Sequence, residues 1–433
     1  MTLHETAQHS KKASIYLASK DENSKNSALE TIAQQLDSRR EEIKAANSTD
    51  IQRSKSENLA QPLLKRLLFD DNKIDQTIAG IKDLVTLKDP VGKTLLSTEL
   101  DTGLELYKIS CPIGVIGVIF ESRPDALVQI ATLCLKSGNA LLLKGGSEAM
   151  ETNRILADII YNASLEASMP EGWLYLLETR SEVKEMLSLD DSIDLIIPRG
   201  SNEFVKYIMD NSNIPVLGHA DGICHLYIDK EADTEMAVNL TIDSKVQSVA
   251  VCNALETLLV HEDIAEIFLP AVRKRLDESG VKITGCDKTA RIIECEAADD
   301  NTWKNEYLDY KLSIKVVSSL EEAVDHINCY GSGHTDSIVT NNGHAAGIFM
   351  DLVDSGNVFW NASTRFSDGF VYGFGAEVGI STNKIHARGP VGLEGLLIYK
   401  YKLIGRGHVR ADYTGGSKRY THNPINKPYP HND

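Results

Sequence analysis

The spacing of apolar residues divides the chain into a helical opening and a longer region in which strand and helix patterns alternate. Up to about residue 87, apolar residues such as Ala28, Ile32 and Leu36 recur at helical spacing. Residues 95–110 then alternate polar and apolar side chains around Asp101-Thr102-Gly103. That pattern predicts a β-hairpin between the helical opening and the first buried strand.

From residue 113 onward, short apolar runs alternate with amphipathic stretches in two successive series. The first series has strand patterns at residues 113–120, 140–144, 173–177 and 193–197. The second has them at residues 224–229, 255–260, 312–317, 336–340 and 357–361. Such alternation is typical of parallel sheets with right-handed crossovers, in which ligands bind at the carboxyl ends of the strands. The predicted fold class is therefore α/β, with two doubly wound domains.

The C-terminal third is less regular. Residues 363–392 are rich in Gly, Arg and His with little periodicity, and we expect them to form surface loops. Residues 395–403 are a short strand candidate, whereas residues 405–433 are polar and contain prolines. That composition predicts a partly disordered tail.

Composition and charge narrow the function. The longest apolar run, residues 113–120, is far too short to span a membrane, and the start of the chain lacks the features of a signal peptide, so we expect a cytoplasmic protein. Seven cysteines without a CxxC pair indicate reduced thiols rather than disulfides or a zinc site. A net charge of −17 disfavours nucleic-acid and anionic-membrane partners. An anionic ligand therefore requires a local cluster of cations.

Polar stretches that follow predicted strands are the candidates for chemistry. They are Glu121-Ser122-Arg123-Pro124, Lys144-Gly145-Gly146-Ser147, Arg199-Gly200-Ser201-Asn202 and the loop around Cys252. Gly-Ser at a helix start leaves backbone N–H groups free to bind an anion. Taken singly each signal is weak, because Gly145-Gly146 is equally a turn and a cysteine is most often a small buried hydrophobe.

Taken in order, these stretches resemble the aldehyde dehydrogenase superfamily. The matching motifs are Ile113-Gly-Val-Ile-Gly117, Leu142-Leu-Lys-Gly-Gly146, Ile197-Pro-Arg-Gly-Ser201 and Cys252-Asn-Ala-Leu-Glu256. Three later motifs are similar to the branch of that superfamily that reduces γ-glutamyl phosphate. They are Asn361-Ala-Ser-Thr-Arg-Phe-Ser-Asp368, Gly375-Ala-Glu-Val-Gly-Ile-Ser-Thr382 and His386-Ala-Arg-Gly-Pro-Val-Gly-Leu-Glu394. The resemblance runs from about residue 28 to residue 410.

The resemblance implies an aldehyde dehydrogenase-like division of the chain. Residues 1–222, interrupted by the hairpin at 95–112, would form an NADPH-binding domain, and residues 223–393 a catalytic cysteine domain. Residues 95–112 and 394–410 would form a small β oligomerisation arm, with residues 411–433 a flexible tail. NADPH or NADP would be bound by Lys144, Gly145, Gly146, Ser147, Arg199, Gly200, Ser201 and Glu306. Ser147 stands where many NAD-using relatives have a glutamate, which favours NADPH; Glu306 is equally a solvated surface acid.

The resemblance also implies that Cys252 is the nucleophile, and the other predicted catalytic residues are Asn253 and Arg123. Candidates for substrate binding are Asn361, Ser363, Arg365, His386 and Arg388, although Arg365 could instead stabilise its loop. No metal is predicted. His219 and His225 are expected to be structural.

Two departures from the superfamily pattern indicate the reaction. Hydrolytic relatives carry a glutamate upstream of the cysteine that activates water, but the corresponding stretch here reads Val216-Leu-Gly-His219. Without that base, hydrolysis of a thioester should be slow. Arg123 replaces an asparagine and suits a phosphorylated substrate. We therefore predict reduction of γ-glutamyl phosphate to glutamate-5-semialdehyde through a cysteine thioester, with release of phosphate, in proline biosynthesis.

Two other interpretations remain open at this level. A hydrolytic, NAD-dependent aldehyde dehydrogenase would work without phosphate. A catalytically silent homologue could act as a scaffold for the kinase that makes the acyl phosphate. For the enzyme, the expected partners are its small-molecule substrate, further copies of the chain in a homo-oligomer, and a transient contact with glutamate 5-kinase.

Overall fold

The computed structural model describes residues 1–121, 123–218 and 221–430. The helical opening is confirmed, and its apolar stripes pack against the first sheet. Its helices are α1 (Leu3–Leu17), α2 (Glu22–Ser38), α3 (Arg40–Ser56), α4 (Gln61–Leu67) and α5 (Asp71–Thr86). Ala28, Ile32 and Leu36 of α2 are fully buried in the same core as the strands of that sheet. These helices therefore belong to the first domain.

The first domain contains a parallel sheet whose strands and helices alternate as the pattern predicts. Its elements are β3 (Val115–Phe120), α6 (Pro124–Ser137), β4 (Ala140–Lys144), α7 (Met150–Glu166), β5 (Leu174–Leu177), α8 (Arg180–Met186), β6 (Leu195–Arg199) and α9 (Asn202–Asn211). The strand order is β5-β4-β3-β6. The order reverses between β3 and β6, and a ligand crevice in such a sheet opens at the carboxyl ends of the strands at this point.

The second domain is a larger parallel sheet of strand order β10-β9-β11-β8-β7-β12-β13. Its strands are β7 (Cys224–Ile228), β8 (Leu255–His261), β9 (Lys282–Gly285), β10 (Glu296–Ala297), β11 (Lys311–Val317), β12 (Thr335–Val339) and β13 (Asn357–Trp360). Its helices are α10 (Thr234–Val246), α11 (Glu262–Glu278), α12 (Asp287–Ala290), α13 (Leu320–Tyr330) and α14 (Gly343–Leu352). Leu258 and Val260 face one core and Leu259 faces the other. Since both faces are covered, the strands read as continuous apolar runs.

The predicted hairpin and the C-terminal strand lie together in a separate antiparallel sheet. Strands β1 (Thr94–Asp101), β2 (Leu104–Pro112) and β16 (Leu397–Ile404) form it, together with the short strand β17 (Asn423–Pro424). Strand β16 pairs with β2 along its whole length. These segments match those assigned to the arm.

The polar C-terminal residues pack along this sheet, which differs from the flexible tail expected for residues 411–433. A short helix, α15 (Ala411–Thr414), is followed by β17, which pairs with β1. The Tyr413 hydroxyl donates to Asp101 at 2.8 Å, and Lys427 contacts Glu105 at 2.9 Å. A polar composition predicts the lack of a core, but it does not reveal pairing to a strand edge, which uses backbone groups.

The expectation that residues 363–392 form surface loops is wrong in part. Strands β14 (Gly379–Ser381) and β15 (Gly389–Val391) form a buried antiparallel pair within this region. Val378 and Val391 belong to the core of the first domain. The segment therefore returns from the second domain to the first and crosses the boundary between them.

In the described part of the chain, no helix has the length and apolar character needed to cross a membrane.

Candidate active site

A cleft of about 940 Å³ opens where the carboxyl ends of β3 and β6 face the loop before β8. Its lining combines backbone at a helix start, a thiol and charged side chains of both signs. Among the lining residues are Glu121, Arg123, Arg199, Gly200, Ser201, Cys252, Asn253, Glu306, Arg365 and Glu377. The strand ends singled out in the sequence and the Cys252 loop thus meet in one cavity, except for the Lys144 loop.

Several hydrogen bonds from neighbouring segments hold the Cys252 loop in place. The Thr364 hydroxyl donates to the carbonyl oxygen of Asn253 at 2.7 Å, and the Asn253 amide nitrogen donates to the carbonyl of Ser367 at 2.9 Å. The Cys224 thiol donates to the carbonyl of Cys252 at 3.2 Å. The backbone before β8 is therefore fixed by the stretch that begins at Asn361 and by the first residue of β7.

Gly222 lies directly against this loop. A Cβ atom at this position would be 2.1 Å from the carbonyl oxygen of Cys252 and 2.5 Å from its Cα. Backbone cannot yield to such an approach as a flexible side chain could, so only glycine fits here. Gly222, which lies between the last helix of the first domain and the first strand of the second, thus sets the position of the thiol.

Cys252 is half-buried in the wall of the cleft. Burial raises its pKa to about 12, and the nearby Glu306 carboxylate adds to this effect, while the Arg199 guanidinium acts in the opposite direction. The thiol is consequently protonated at neutral pH. Since the thiolate is the nucleophilic form, any chemistry at this sulfur requires a proton acceptor or a change in the local charge.

A histidine that the sequence reasoning missed contacts this thiol. The Nε2 atom of His334 lies 3.2 Å from Sγ of Cys252, and the imidazole is fully buried. His334 precedes β12 in the stretch Gly331-Ser-Gly-His-Thr335. The sequence signal for this histidine was its position between glycines and a buried strand. Because 82 residues separate it from Cys252, no local pattern links the two.

Arginine side chains supply the local cations that the net charge of the chain requires. Burial, together with the neighbouring Arg123, lowers the pKa of Arg199, whose guanidinium donates to the carbonyl of Val378. Arg123 pairs with Asp125 at 3.0 Å, and Arg365 donates to the Gln247 side chain at 2.9 Å. All these arginines line the cleft. Arg199, proposed from sequence for the cofactor, thus lies close enough to Cys252 to influence its titration.

The Lys144 loop forms a separate small pocket at the end of β4. Lys144, Gly145, Gly146 and Ser147 line it together with Asn153 and Glu178. A Cβ atom at Gly145 would be 2.1 Å from the Asn153 side chain, so the backbone approaches closely here. The Oδ1 atom of Asn153 is buried and has no hydrogen-bond partner within the described residues. A close backbone cradle and an unused acceptor fit a polar ligand group such as a cofactor ribose or base.

The start of α9 is the second place at which cofactor binding was predicted from the sequence. Gly200 and Ser201 precede the helix, and the Ser201 N–H donates to the Glu121 carboxylate at 3.3 Å. Glu306 accepts hydrogen bonds from the Asn202 amide and from the Gly222 N–H, and burial raises its pKa. Glu306 is therefore a half-buried residue of the cleft rather than a solvated surface acid.

Most residues predicted to bind substrate lie outside the cleft and have structural partners. Asn361 makes paired hydrogen bonds with Thr340 at 3.0 Å, and Ser363 contacts Ser244. His386 contacts the carbonyl of Gly395 at 2.9 Å, and Arg388 pairs with Asp354 at 2.9 Å. Among the described residues of this predicted set, only Arg365 lines the cleft.

Glu377 also escaped the sequence reasoning. It lies in the segment that was expected to be surface loop, yet it lines the cleft and accepts from the Gly369 N–H at 2.9 Å. Burial raises the pKa of its carboxyl group. His225 is buried against Asp336 at 2.9 Å, whereas Ser122 and His219 lie outside the described residues.

Comparison with known proteins establishes the class first. The aldehyde dehydrogenase family model matches residues 2–293. That match covers both the first sheet and the Cys252 loop. Members of this family use nicotinamide cofactors.

More similar relatives define the branch. The chain is 64% identical over 430 residues to a γ-glutamyl phosphate reductase of Acetivibrio thermocellus, covering 99% of this chain and 100% of that protein. It is 64% identical over 429 residues to that of Pelotomaculum thermopropionicum, covering 99% of both. The crystal structure of the Thermotoga maritima γ-glutamyl phosphate reductase superposes with a TM-score of 0.93 at 41% identity, covering 95% of this chain and 100% of that one. The chain belongs to the γ-glutamyl phosphate reductases of the aldehyde dehydrogenase family.

Proposed function

We propose that the protein reduces γ-glutamyl phosphate to glutamate-5-semialdehyde in proline biosynthesis, with Cys252 as the nucleophile and NADPH as the reductant. The observation that carries this proposal is the meeting of Cys252 with Arg123, Arg199 and Arg365 in one cleft. A thiol can accept an acyl group, and guanidinium groups bind phosphate and carboxylate through paired hydrogen bonds. The full-length similarity to γ-glutamyl phosphate reductases supports the same substrate.

The proposed reaction has two parts at the same sulfur. The Cys252 thiolate forms a C–S bond with the γ-carbonyl carbon, and the C–O bond to phosphate breaks, so that phosphate leaves with the electron pair. When bound, NADPH supplies the hydride that reduces the thioester. The C–S bond then breaks, the aldehyde is released and the thiolate is restored. The chain holds the acyl carbon by its backbone around Cys252 and anchors the substrate charges by its arginines.

The cofactor surfaces support NADPH. Lys144 and the Gly145-Gly146 backbone would hold the adenosine end, while Gly200, Ser201 and Glu306 would hold the groups nearer the thiol. Position 147 carries a serine, so it offers no carboxylate to repel a 2′-phosphate. A kinetic comparison tests this step: we expect kcat/KM to be higher with NADP than with NAD, and an equal value for the two would contradict it.

The residues upstream of the thiol argue for acyl transfer to phosphate rather than to water. Val216 and Leu217 are buried, and Gly218 packs against Pro198. None of these described residues carries a carboxylate that could activate water in the manner of the hydrolytic relatives. We therefore expect the reverse reaction to depend on inorganic phosphate.

The decisive experiment follows NADP reduction with glutamate-5-semialdehyde, with and without inorganic phosphate. We expect activity only with phosphate, and its loss in Cys252→Ala. Cys329→Ala, which removes an exposed thiol, is the matched control and should keep the wild-type rate. Phosphate-independent turnover would instead favour the hydrolytic interpretation, and substantial turnover by Cys252→Ala would contradict the thiol mechanism.

Arg365 is the proposed anchor for a negative group of the substrate. Its side chain is half-buried beside the cleft, and burial lowers its pKa. Arg365→Met should raise KM for the semialdehyde or for phosphate, whereas Arg419→Met, at an exposed position, should change neither. An unchanged KM for both substrates would reject the assignment.

The arm is proposed to join copies of the chain into a homo-oligomer. Strand β16 is at one edge of its sheet and exposes Tyr399, Tyr401 and Leu403. Exposed apolar side chains along a free strand edge are typical of an interface. Light scattering after size-exclusion chromatography tests this, and a monomer at micromolar concentration would contradict it.

Transient contact with glutamate 5-kinase and a cytoplasmic location stay predictions. Co-sedimentation with the kinase tests the first of these.

A further inference from the structure

We propose that His334 is a catalytic base that removes the proton from the Cys252 thiol and delivers it to the departing phosphate. This inference rests on the proposed function, because it assigns a role in the same reaction. It begins from a direct contact, the 3.2 Å separation between Nε2 of His334 and Sγ of Cys252.

The hydrogen bonds around the imidazole accommodate the tautomer that a base requires. Nδ1 lies 2.8 Å from the hydroxyl oxygen of Thr335. If Nδ1 carries the proton and donates it to that oxygen, Nε2 keeps a lone pair directed at the thiol. In that tautomer the nitrogen that contacts Cys252 can accept the thiol proton across the 3.2 Å separation.

Further side chains hold Thr335 and the histidine backbone. The Asn357 amide nitrogen donates to the Thr335 hydroxyl at 3.3 Å and to the His334 carbonyl at 3.0 Å. The Tyr372 hydroxyl in turn donates to Asn357 at 2.8 Å. This chain of contacts fixes the orientation of the imidazole, as expected of a group whose geometry matters for proton transfer.

The thiol needs such a base because its surroundings disfavour the thiolate. Burial raises the pKa of Cys252 to about 12. Glu306 is an unsuitable acceptor, since its carboxylate accepts from Asn202 and its charge raises the thiol pKa further. A neutral imidazole can take the proton while creating a cation next to the new anion, which lowers the cost of forming the thiolate.

The proton transfers of the reaction all pass through Nε2 of His334. The S–H proton moves to Nε2, the sulfur attacks the acyl carbon, and the leaving phosphate takes that proton as it departs as HPO₄²⁻. After the thioester has been reduced and the C–S bond broken, the thiolate regains a proton from solvent through the same nitrogen. One proton is consumed overall, as the reduction of an acyl phosphate to an aldehyde and hydrogen phosphate requires.

The test measures alkylation of Cys252 by iodoacetamide between pH 6 and 10 in the free enzyme, with the modified peptide quantified by mass spectrometry. With His334 as the base, the rate should level off once the imidazole is neutral, because proton transfer within the pair does not depend on pH. In His334→Gln the rate should rise tenfold per pH unit throughout. Cys224, Arg199, Glu306, Arg365 and Glu377 interact electrostatically with this thiol, and Asp336 acts on Cys224. Each remains the same in wild type and variant.

Turnover gives an independent readout. His334→Gln should lower kcat by roughly 10²- to 10⁴-fold, the usual contribution of general acid–base catalysis. His344→Gln, on the exposed start of α14, should retain wild-type turnover and the wild-type alkylation profile. Thr335→Val should lower kcat and shift the alkylation profile, whereas Thr335→Ser, which keeps the hydroxyl, should restore both.

The outcomes separate this inference from the proposed function. A tenfold rise per pH unit in the wild-type profile would overturn the role of His334, even if turnover still required Cys252 and phosphate. Loss of phosphate dependence would overturn the proposed function while leaving the alkylation profile unaffected. If His334→Gln does not fold, the wild-type profile together with the Thr335 pair still decides the question.

Discussion

A buried ion pair behind the Cys252 loop offers a sharp test of the physical reasoning. Nζ of Lys245, in α10, lies 2.8 Å from Oε2 of Glu256, in β8, and both side chains are fully buried. The other carboxylate oxygen accepts from the Leu308 N–H at 3.3 Å. The two elements bracket the Cys252 loop. We consider the variants Lys245→Met and Glu256→Gln, singly and together.

The magnitudes follow from the separation and the burial. At 2.8 Å and an effective dielectric constant of about 20, the attraction between unit charges is about 6 kcal/mol. Removing both ions from water costs several kcal/mol each, so the net contribution of the intact pair is small. Lys245→Met alone leaves a buried carboxylate, which should cost about 3–5 kcal/mol. The double variant should cost less than that single change, because it leaves no buried charge.

The loss should also depend on pH. Burial raises the pKa of Glu256 to about 7, and burial likewise lowers the pKa of Lys245. A carboxyl group whose folded pKa exceeds its unfolded value stabilises the fold at low pH, and this stabilisation is lost as pH rises through the folded value. Without Lys245 the carboxyl loses its cation and titrates higher still. The penalty of Lys245→Met should therefore grow between pH 6 and pH 9.

Native-state hydrogen exchange of peptides covering β8 measures the effect locally. A loss of about 3–5 kcal/mol corresponds to roughly 10²- to 10⁴-fold faster exchange, after correction for the intrinsic rate at each pH. Lys274→Met, at an exposed position of α11, is the control and should leave exchange unchanged. Exchange in Lys245→Met within threefold of wild type at pH 9, or a double variant worse than Lys245→Met, would refute the reasoning.

Three further predictions concern the site. Gly222→Ala should displace the Cys252 loop and lower kcat by about 100-fold, the usual effect of a misplacement of about 1 Å. The control Gly347→Ala, at which an added Cβ meets nothing within 4 Å, should keep the wild-type kcat. An equal kcat for the two variants would contradict the packing argument. Asp50→Ala removes the acceptor for two backbone N–H groups at the start of α7, so thermal unfolding should show a loss of about 1–3 kcal/mol. KM for NADP should also rise. Wild-type stability would exclude that capping role. Glu306→Gln removes a negative charge that raises the pKa of Cys252, so alkylation of Cys252 at pH 7 should become several-fold faster. A slower alkylation would contradict this prediction and show that the carboxylate assists the thiol.

Element positions followed closely from the sequence where local pattern governs them. The hairpin around Asp101-Thr102-Gly103 ends β1 at Asp101 and begins β2 at Leu104, as its turn residues predict. The predictions of local structure failed where contacts between residues distant in sequence decide whether a segment is buried. Val378 is fully buried although its segment is rich in glycine and charge, because it packs into the core of the first domain. Local periodicity carries no information about such a return.

The candidate site shows the same division. The motif that begins at Asn361 was singled out for substrate binding, but Asn361 and Ser363 contact neighbouring backbone and hydroxyl groups outside the cleft. Its later members, Thr364 and Ser367, hold the Cys252 loop. A recognisable motif therefore identified an important segment, while the function of each residue depended on where its side chain points.

The sequence by itself determined the α/β class, the two series of strands, and the strand ends that carry the polar and glycine-rich stretches, because periodicity and turn chemistry are local properties of the chain. Only the tertiary structure decided which residues surround that thiol. His334, Arg199 and Glu377 reach Cys252 or its cleft from different segments, and their separation in sequence leaves no local pattern that links them. The titration of the thiol depends on burial and on those neighbouring charges, which exist only once the two domains have packed together.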